Sequence, residues 1–217
     1  MKRKGFWVAT GLLVVPVVIF YMLSAGSHNF TTLPIFGERI PPDGKLQKDT
    51  IYYQIPDFEV TDQSNKKLNL ASFDDKIFVA NFFFASCEDV CPTMNRRLSK
   101  VYEKYKEFAE VHFLSFTVDP LNDSVQVLND YAKKYSADPK IWHFAKTNTN
   151  DEIFKIGQGF LLPVSIEDKT IDHSQQLIII DKEKRIRGVY DSYSDVEIKR
   201  LEEDLKVLLY EYHNPGK

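Results

Sequence analysis

The sequence predicts an α/β domain, a central mixed sheet flanked by helices, preceded by one N-terminal transmembrane helix. Three observations carry this. Behind an apolar N-terminal stretch, short strand-like runs alternate with amphipathic helix-like runs. One run, Ile77–Phe84 (IFVANFFF), is apolar almost without interruption, as a strand buried on both faces requires. Near the end, Leu177–Asp181 and Arg185–Tyr190 flank the turn Lys182-Glu183-Lys184 and read as a hairpin, which adds antiparallel pairing to a parallel start.

The N-terminal stretch comes first. Lys2, Arg3 and Lys4 precede an uncharged, mostly apolar run from Gly5 to Leu23. As a helix this run spans about 28 Å, close to the hydrocarbon thickness of a bilayer. The apolar part of a cleaved signal peptide is shorter, about 7–15 residues. Ser24, Ala25, Gly26 and Ser27 keep cleavage as the alternative. The basic cluster puts the N-terminus in the cytoplasm and the rest outside. A single-pass protein of the cell (inner) membrane follows, with its domain in the periplasm or extracytoplasmic space. Residues 1–24 are then a basic tip and anchor, 25–50 a linker with Pro34, Gly37, Pro41, Pro42 and Gly44, and 51–217 the folded domain.

Within the domain, Ile55–Val60 and Lys67–Leu70 are strand candidates around the turn Asp62-Gln63-Ser64-Asn65. After Ile77–Phe84, a helix over Pro92–Phe108 gathers Met94, Leu98, Val101, Tyr102, Tyr105 and Phe108 on one face, with a solvated face of Arg and Lys elsewhere. Val111–Val118 is a strand, Ser124–Tyr135 a helix, Ile141–Ala145 a short strand and Asp151–Ile156 a short helix. Asp195–Tyr210 closes the chain as an amphipathic helix with Ile198, Leu201, Leu205 and Leu208 or Leu209 inward.

Composition narrows the function. Hydrophobic residues make up 43% and charged residues 27%, which excludes wholesale disorder. A formal net charge of -3 argues against a nucleic-acid surface. Two cysteines are too few for a disulfide framework or a four-cysteine zinc site.

Those two, Cys87 and Cys91, fall between the long apolar strand and its helix. Ligand sites in such sheets lie outside the carboxyl ends of the strands, and a thioredoxin-like fold holds its cysteines there. Pro92 suits the first helical position. Cys91 then sits at the helix N-terminus, where positive partial charge lowers a thiol pKa. Glu88 and Asp89 oppose this, so the depression is expected to be moderate. The spacing brings both sulfurs to one side of the junction, and it also permits a disulfide. Two thiolates are soft donors that suit Cu(I) best and Zn(II) next, and they leave a site wanting a third ligand. His is the usual third partner. His28 lies in the linker and His213 in the tail; His112 and His143 read as packed or surface residues on strands. His173, in the loop TIDHSQQ before Leu177–Ile180, can face the cysteine end, although on spacing alone an ordinary structural role stays open. Met94 and Trp142 read as core residues.

CEDVCP after an aromatic-rich strand, TVDP after the next strand and DHS before a late apolar strand together resemble the Sco/SenC family. The resemblance covers roughly Ile51 to Tyr210, plus the anchor. It implies a membrane-tethered, thioredoxin-like protein that binds copper and assists assembly of the binuclear copper centre of cytochrome c oxidase. Cys87 and Cys91 match the family's metal-binding cysteines and His173 its ligand histidine. Asp119 of TVDP matches a recurring acidic position near the site, or caps a turn before Pro120. The cargo implied is copper, as Cu(I) with Cu(II) accessible. The partners implied are cytochrome c oxidase subunit II and a copper donor or thioredoxin-like reductant. The competing reading is a membrane-tethered thiol-disulfide oxidoreductase that reduces the cysteines of a metal acceptor, with Cys87 and Cys91 as its redox pair. A peroxidase of the same broad fold needs no His173, and a purely structural disulfide closing so small a loop contributes little.

Overall fold

The structure is a computed structural model and describes residues 14–16, 32–37, 39–40, 51–165, 170–171 and 175–214. The expected anchor, apart from a helical stretch at 14–16, and His173 lie outside the described residues. Among the described residues, no helix is long and apolar enough to cross a membrane.

In chain order the elements are β1 (Arg39–Ile40), β2 (Ile51–Tyr52), β3 (Glu59–Asp62), β4 (Lys67–Asn69), a 3₁₀ turn (Leu70–Phe73), β5 (Ile77–Phe83), α1 (Val90–Tyr105), β6 (Val111–Thr117) and α2 (Val125–Lys133). They continue with β7 (Trp142–Lys146), α3 (Asn150–Gly159), β8 (Val164–Ser165), β9 (Thr170–Ile171), β10 (Gln176–Ile180), β11 (Ile186–Asp191) and α4 (Asp195–His213). Seven strands form one sheet in the order β11-β10-β5-β6-β7-β3-β4. β5, β6 and β7 are parallel, and β10, β11, β3 and β4 pair antiparallel. This is the expected central mixed sheet with flanking helices.

β5 sits in the middle and all of its residues are buried. Successive side chains of a strand point to opposite faces, and β5 feeds two cores. Ile77, Val79 and Phe83 join Leu98 and Val101 of α1, Leu128 of α2, and Leu201 and Leu205 of α4. Phe78, Ala80 and Phe82 join Phe58, Phe73, Phe116, Ile153 and Phe160 on the other face. Each fully buried side chain of this size stabilises by about 2 kcal/mol. Serine or threonine caps start the three later helices: Ser124 accepts from Val127 N–H, Thr149 from Glu152 N–H and Ser194 from Glu197 N–H.

Several boundaries differ from the sequence reading, and two of them have a clear physical reason. The strand expected over Ile55–Val60 begins only at Glu59, because Ile55 spends its amide on the Lys184 carbonyl and Phe58 on the Asp57 carboxylate. The first helix begins at Val90, not Pro92, and ends at Tyr105. Pro92 occupies the third helical position. Amides of the first turn have no intrahelical partner, so a proline there loses nothing. Phe108 falls beyond the helix and is 48% exposed.

Among the described residues the folded unit begins at Leu33 and so includes part of the stretch read as linker. Leu33 N–H donates to Glu211 at 2.9 Å, and Phe36 N–H to the Ile186 carbonyl at 2.9 Å. Arg187 is buried, donates to the Leu33 and Pro34 carbonyls, and is neutralised by Asp181 and Glu211.

Candidate metal centre

Residues 84–89 join the end of β5 to α1 at the carboxyl end of the central strand. The loop opens with a turn in which Cys87 N–H donates to the Phe84 carbonyl at 3.2 Å. The next loop is pinned beside it by Val118 N–H on the Phe83 carbonyl at 2.7 Å. Asp89, at the helix N-cap, makes no side-chain cap bond. The first amides of α1 are therefore left for sulfur: Cys91 N–H donates to Cys87 Sγ at 3.3 Å. Both cysteines are free thiols, Cys87 half-buried and Cys91 5% exposed.

The electrostatics reverse the expectation for Cys91. Burial pushes its thiol up to about 12, and the charge and hydrogen bond of Cys87 push the same way, against a backbone bond from Phe84. Cys87 carries the lowered pKa instead. Burial alone would raise it, but bonds from the Cys91 amide and thiol and from the Asp89 and Val90 amides outweigh that and hold it below the ordinary thiol value. The helix N-terminus does favour a thiolate. It acts on the sulfur lying in front of the amides, not on the one borne by the helix.

Asp119 follows β6. Its N–H donates to Thr117 Oγ1 at 3.1 Å, and its carboxylate accepts from the Asn122 side-chain amide at 2.9 and 3.0 Å, within its own turn. Asp123, which sequence reasoning passed over, is 3% exposed and reaches the cysteine loop: its Oδ2 accepts from Ala85 N–H at 3.0 Å and from the Thr117 hydroxyl. An Asp directly before the N-cap Ser124 reads as part of a helix start, and only the fold gives it another partner.

A buried polar chain runs below the pair. Trp142 Nε1–H donates to Ser115 Oγ (2.9 Å), whose hydroxyl donates to Asn81 Oδ1 (2.6 Å); Asn81 donates to Asn95 Oδ1 (2.9 Å), and Asn95 to the Tyr131 hydroxyl (3.1 Å). Every member is satisfied, the condition under which a buried polar network rigidifies its surroundings. Tyr135 extends the chain, its hydroxyl donating to that of Tyr131 at 3.3 Å; burial holds the Tyr135 hydroxyl up, against its bond with Tyr131 and the charge of Arg96, with smaller contributions from the cysteines. Met94 is buried, its sulfur facing Asn81 at 3.7 Å, and is a core residue as read from the sequence.

His112 and His143 lie at the other end of the sheet, stacked at 6.2 Å and 9°. His143 Nδ1 is 3.1 Å from Asp62 Oδ2, and both residues are buried. They are packed residues, as expected. His173 is outside the described residues. β10 enters the sheet at Gln176, antiparallel to β5 and so at the end where β5 leaves it. Among the described residues, no group of three or more His, Cys, Asp or Glu comes together to hold a metal.

The SCO1/SenC family model matches residues 48–209. The chain belongs to the SCO1/SenC family. The SCO1 protein homolog of Bacillus subtilis (strain 168) is 26% identical over 168 residues, covering 75% of this chain and 86% of that protein. Two solved structures of the family extend the likeness to the thioredoxin-like fold. BsSco, described as a member of the Sco family of cytochrome c oxidase assembly proteins with a disulfide switch, has a TM-score of 0.62 and 25% identity, covering 71% of this chain and 92% of that one. Bradyrhizobium japonicum ScoI, solved with copper bound, has a TM-score of 0.55 and 25% identity, covering 70% of this chain and 98% of that one.

Proposed function

We propose that this SCO1/SenC chain is a membrane-tethered copper metallochaperone that assists maturation of the binuclear copper centre of cytochrome c oxidase. The observation that carries the reading is the dithiol at the loop–helix junction: Cys87 Sγ lies 3.3 Å from the Cys91 amide, one cysteine half-buried and the other buried. Soft, adjacent donors with one accessible member suit the loading and release of Cu(I) by ligand exchange. Cys87, Cys91 and His173 hold the copper, with His173 completing a shell that two thiolates leave open; imidazole also makes Cu(II) accessible. Asp119 supports the neighbouring turn. Residues 1–24 anchor the chain in the cell membrane, a linker follows, and the folded unit presents the site on the extracytoplasmic side to cytochrome c oxidase subunit II. A copper titration of reduced wild type and His173→Ala tests this. A large loss of Cu(I) affinity in the variant is expected; unchanged affinity with intact disulfide reduction rejects the reading.

The unequal thiols favour a second reading, a thiol-disulfide oxidoreductase acting on the metal acceptor. The Cys87 thiolate attacks one sulfur of the acceptor's disulfide, and the other acceptor sulfur leaves as a thiolate. Cys91 then attacks Cys87 Sγ, expelling the second acceptor sulfur. Two electrons pass to the acceptor, the proton of Cys91 goes to a departing thiolate, and the Cys87–Cys91 disulfide remains. This chemistry needs no His173, which is why His173→Ala separates the two readings.

A further inference from the structure

The turn that carries Cys87 packs Phe84, Ala85 and Cys87 against the core cluster that holds Leu98 and Val101. It spans Phe84 to Cys87, closed by Cys87 N–H on the Phe84 carbonyl. Its first central residue, Ala85, points its N–H away from the turn to Asp123 Oδ2 at 3.0 Å. The same oxygen takes the Thr117 hydroxyl, and Thr117 Oγ1 in turn takes Asp119 N–H at 3.1 Å. The backbone of Asp123 is fixed too, its N–H donating to the Asp119 carbonyl at 2.9 Å. One buried carboxylate thus joins the cysteine turn to the loop after β6.

We propose that Asp123 is a positioning residue for Cys87. Its carboxylate clamps the turn so that Cys87 Sγ faces the Cys91 amide at 3.3 Å. The inference rests on Cys87 and Cys91 being the functional pair, but not on which cargo they carry. Hydrogen bonds to charged acceptors are the strong ones, and a carboxylate buried beside a short turn leaves that turn little freedom. Residues that orient ligands from behind typically cost 10–100-fold in metal affinity when lost.

The test compares Asp123→Ala, which removes the acceptor, with Asp123→Asn, which keeps an acceptor oxygen without the charge. The readout is the alkylation rate of Cys87 in the metal-free, reduced, full-length protein by iodoacetamide, at neutral pH and well below the melting temperature. Asp123→Ala should slow Cys87 several-fold, and Asp123→Asn should recover most of the wild-type rate. An unchanged or faster rate in folded Asp123→Ala overturns the clamp, and so does an Asn variant as slow as Ala. Should Asp123→Ala fail to fold, Thr117→Val removes one of the two donors and must slow Cys87 by a smaller factor; a wild-type rate there also overturns it. Wild-type protein that takes up no copper would count against the metallochaperone and leave this alkylation result standing.

Discussion

Two clusters of chemically able side chains sit on one sheet, at opposite ends of its parallel strands. At the carboxyl end, Cys87 is half-buried, faces amide donors that favour its charged form, and has a buried partner whose thiol is pushed up to about 12. At the amino end, His112 and His143 stack on each other, Asp62 bonds to His143 and to the Ser64 and Lys66 amides, and Phe73 packs edge-on against both rings. The residue types on either side are metal ligands and acid–base groups elsewhere in protein chemistry. What separates them is satisfaction. At the histidine end the rings stack on each other and His143 pairs with Asp62, while the cysteine end keeps one sulfur accessible and its charge stabilised.

The contrast breaks most sharply at Cys91. Cys91→Ser should abolish stoichiometric Cu(I) uptake and any Cys87–Cys91 disulfide, with little change in the unfolding midpoint; retained uptake in a copper titration would place the ligands elsewhere. The opposite pattern belongs to Asp62→Ala. It strips three hydrogen-bonded partners in a buried site and should cost about 3 kcal/mol of stability by denaturant unfolding, with copper uptake unchanged.

Acidification sharpens the comparison further. Burial, with the charges of Lys76 and His143 adding to it, pushes His112 down to about 4 from 6.5. Between those values the unfolded chain takes up a proton that the folded chain refuses. Stability should therefore be complete above pH 6.5 and fall as pH drops toward 4, by up to about 2 kcal/mol once the roughly 3 kcal/mol of the full shift is discounted for solvent screening at a partly exposed ring. Asp62, whose carboxyl is held below its ordinary value against the burial that would raise it, adds a further loss only below that window. Equilibrium unfolding at pH 7, 5.5 and 4.5 checks this, and His112→Phe should flatten the dependence. Smallest is Met94→Leu, a volume-conserving core change that should cost under about 1.5 kcal/mol and leave Cu(I) affinity intact. A lost copper site there would make Met94 a ligand.

Much of this was legible before the fold. Continuous apolarity marked β5 as central, and the cysteines fell at its carboxyl end because the helix pattern resumed just after them. The rest depended on three-dimensional neighbours that spacing does not carry. Its place at a helix start predicts Cys91 as the activated thiol, but burial outweighs the helix terminus there, and the amides face Cys87. Asp123 sits beside a helix cap in sequence and touches Ala85 across the sheet end. Gln63 read as a turn residue; its buried side chain accepts from Phe144 N–H and donates to the Trp142 carbonyl, extending the pairing of β7.

The most direct measurement is an anaerobic Cu(I) titration of the reduced protein read by X-ray absorption. One copper per chain, with two sulfurs from Cys87 and Cys91 and one imidazole nitrogen that disappears in His173→Ala, is the predicted result. A sulfur-only shell, or no stoichiometric binding, would contradict the three-ligand site.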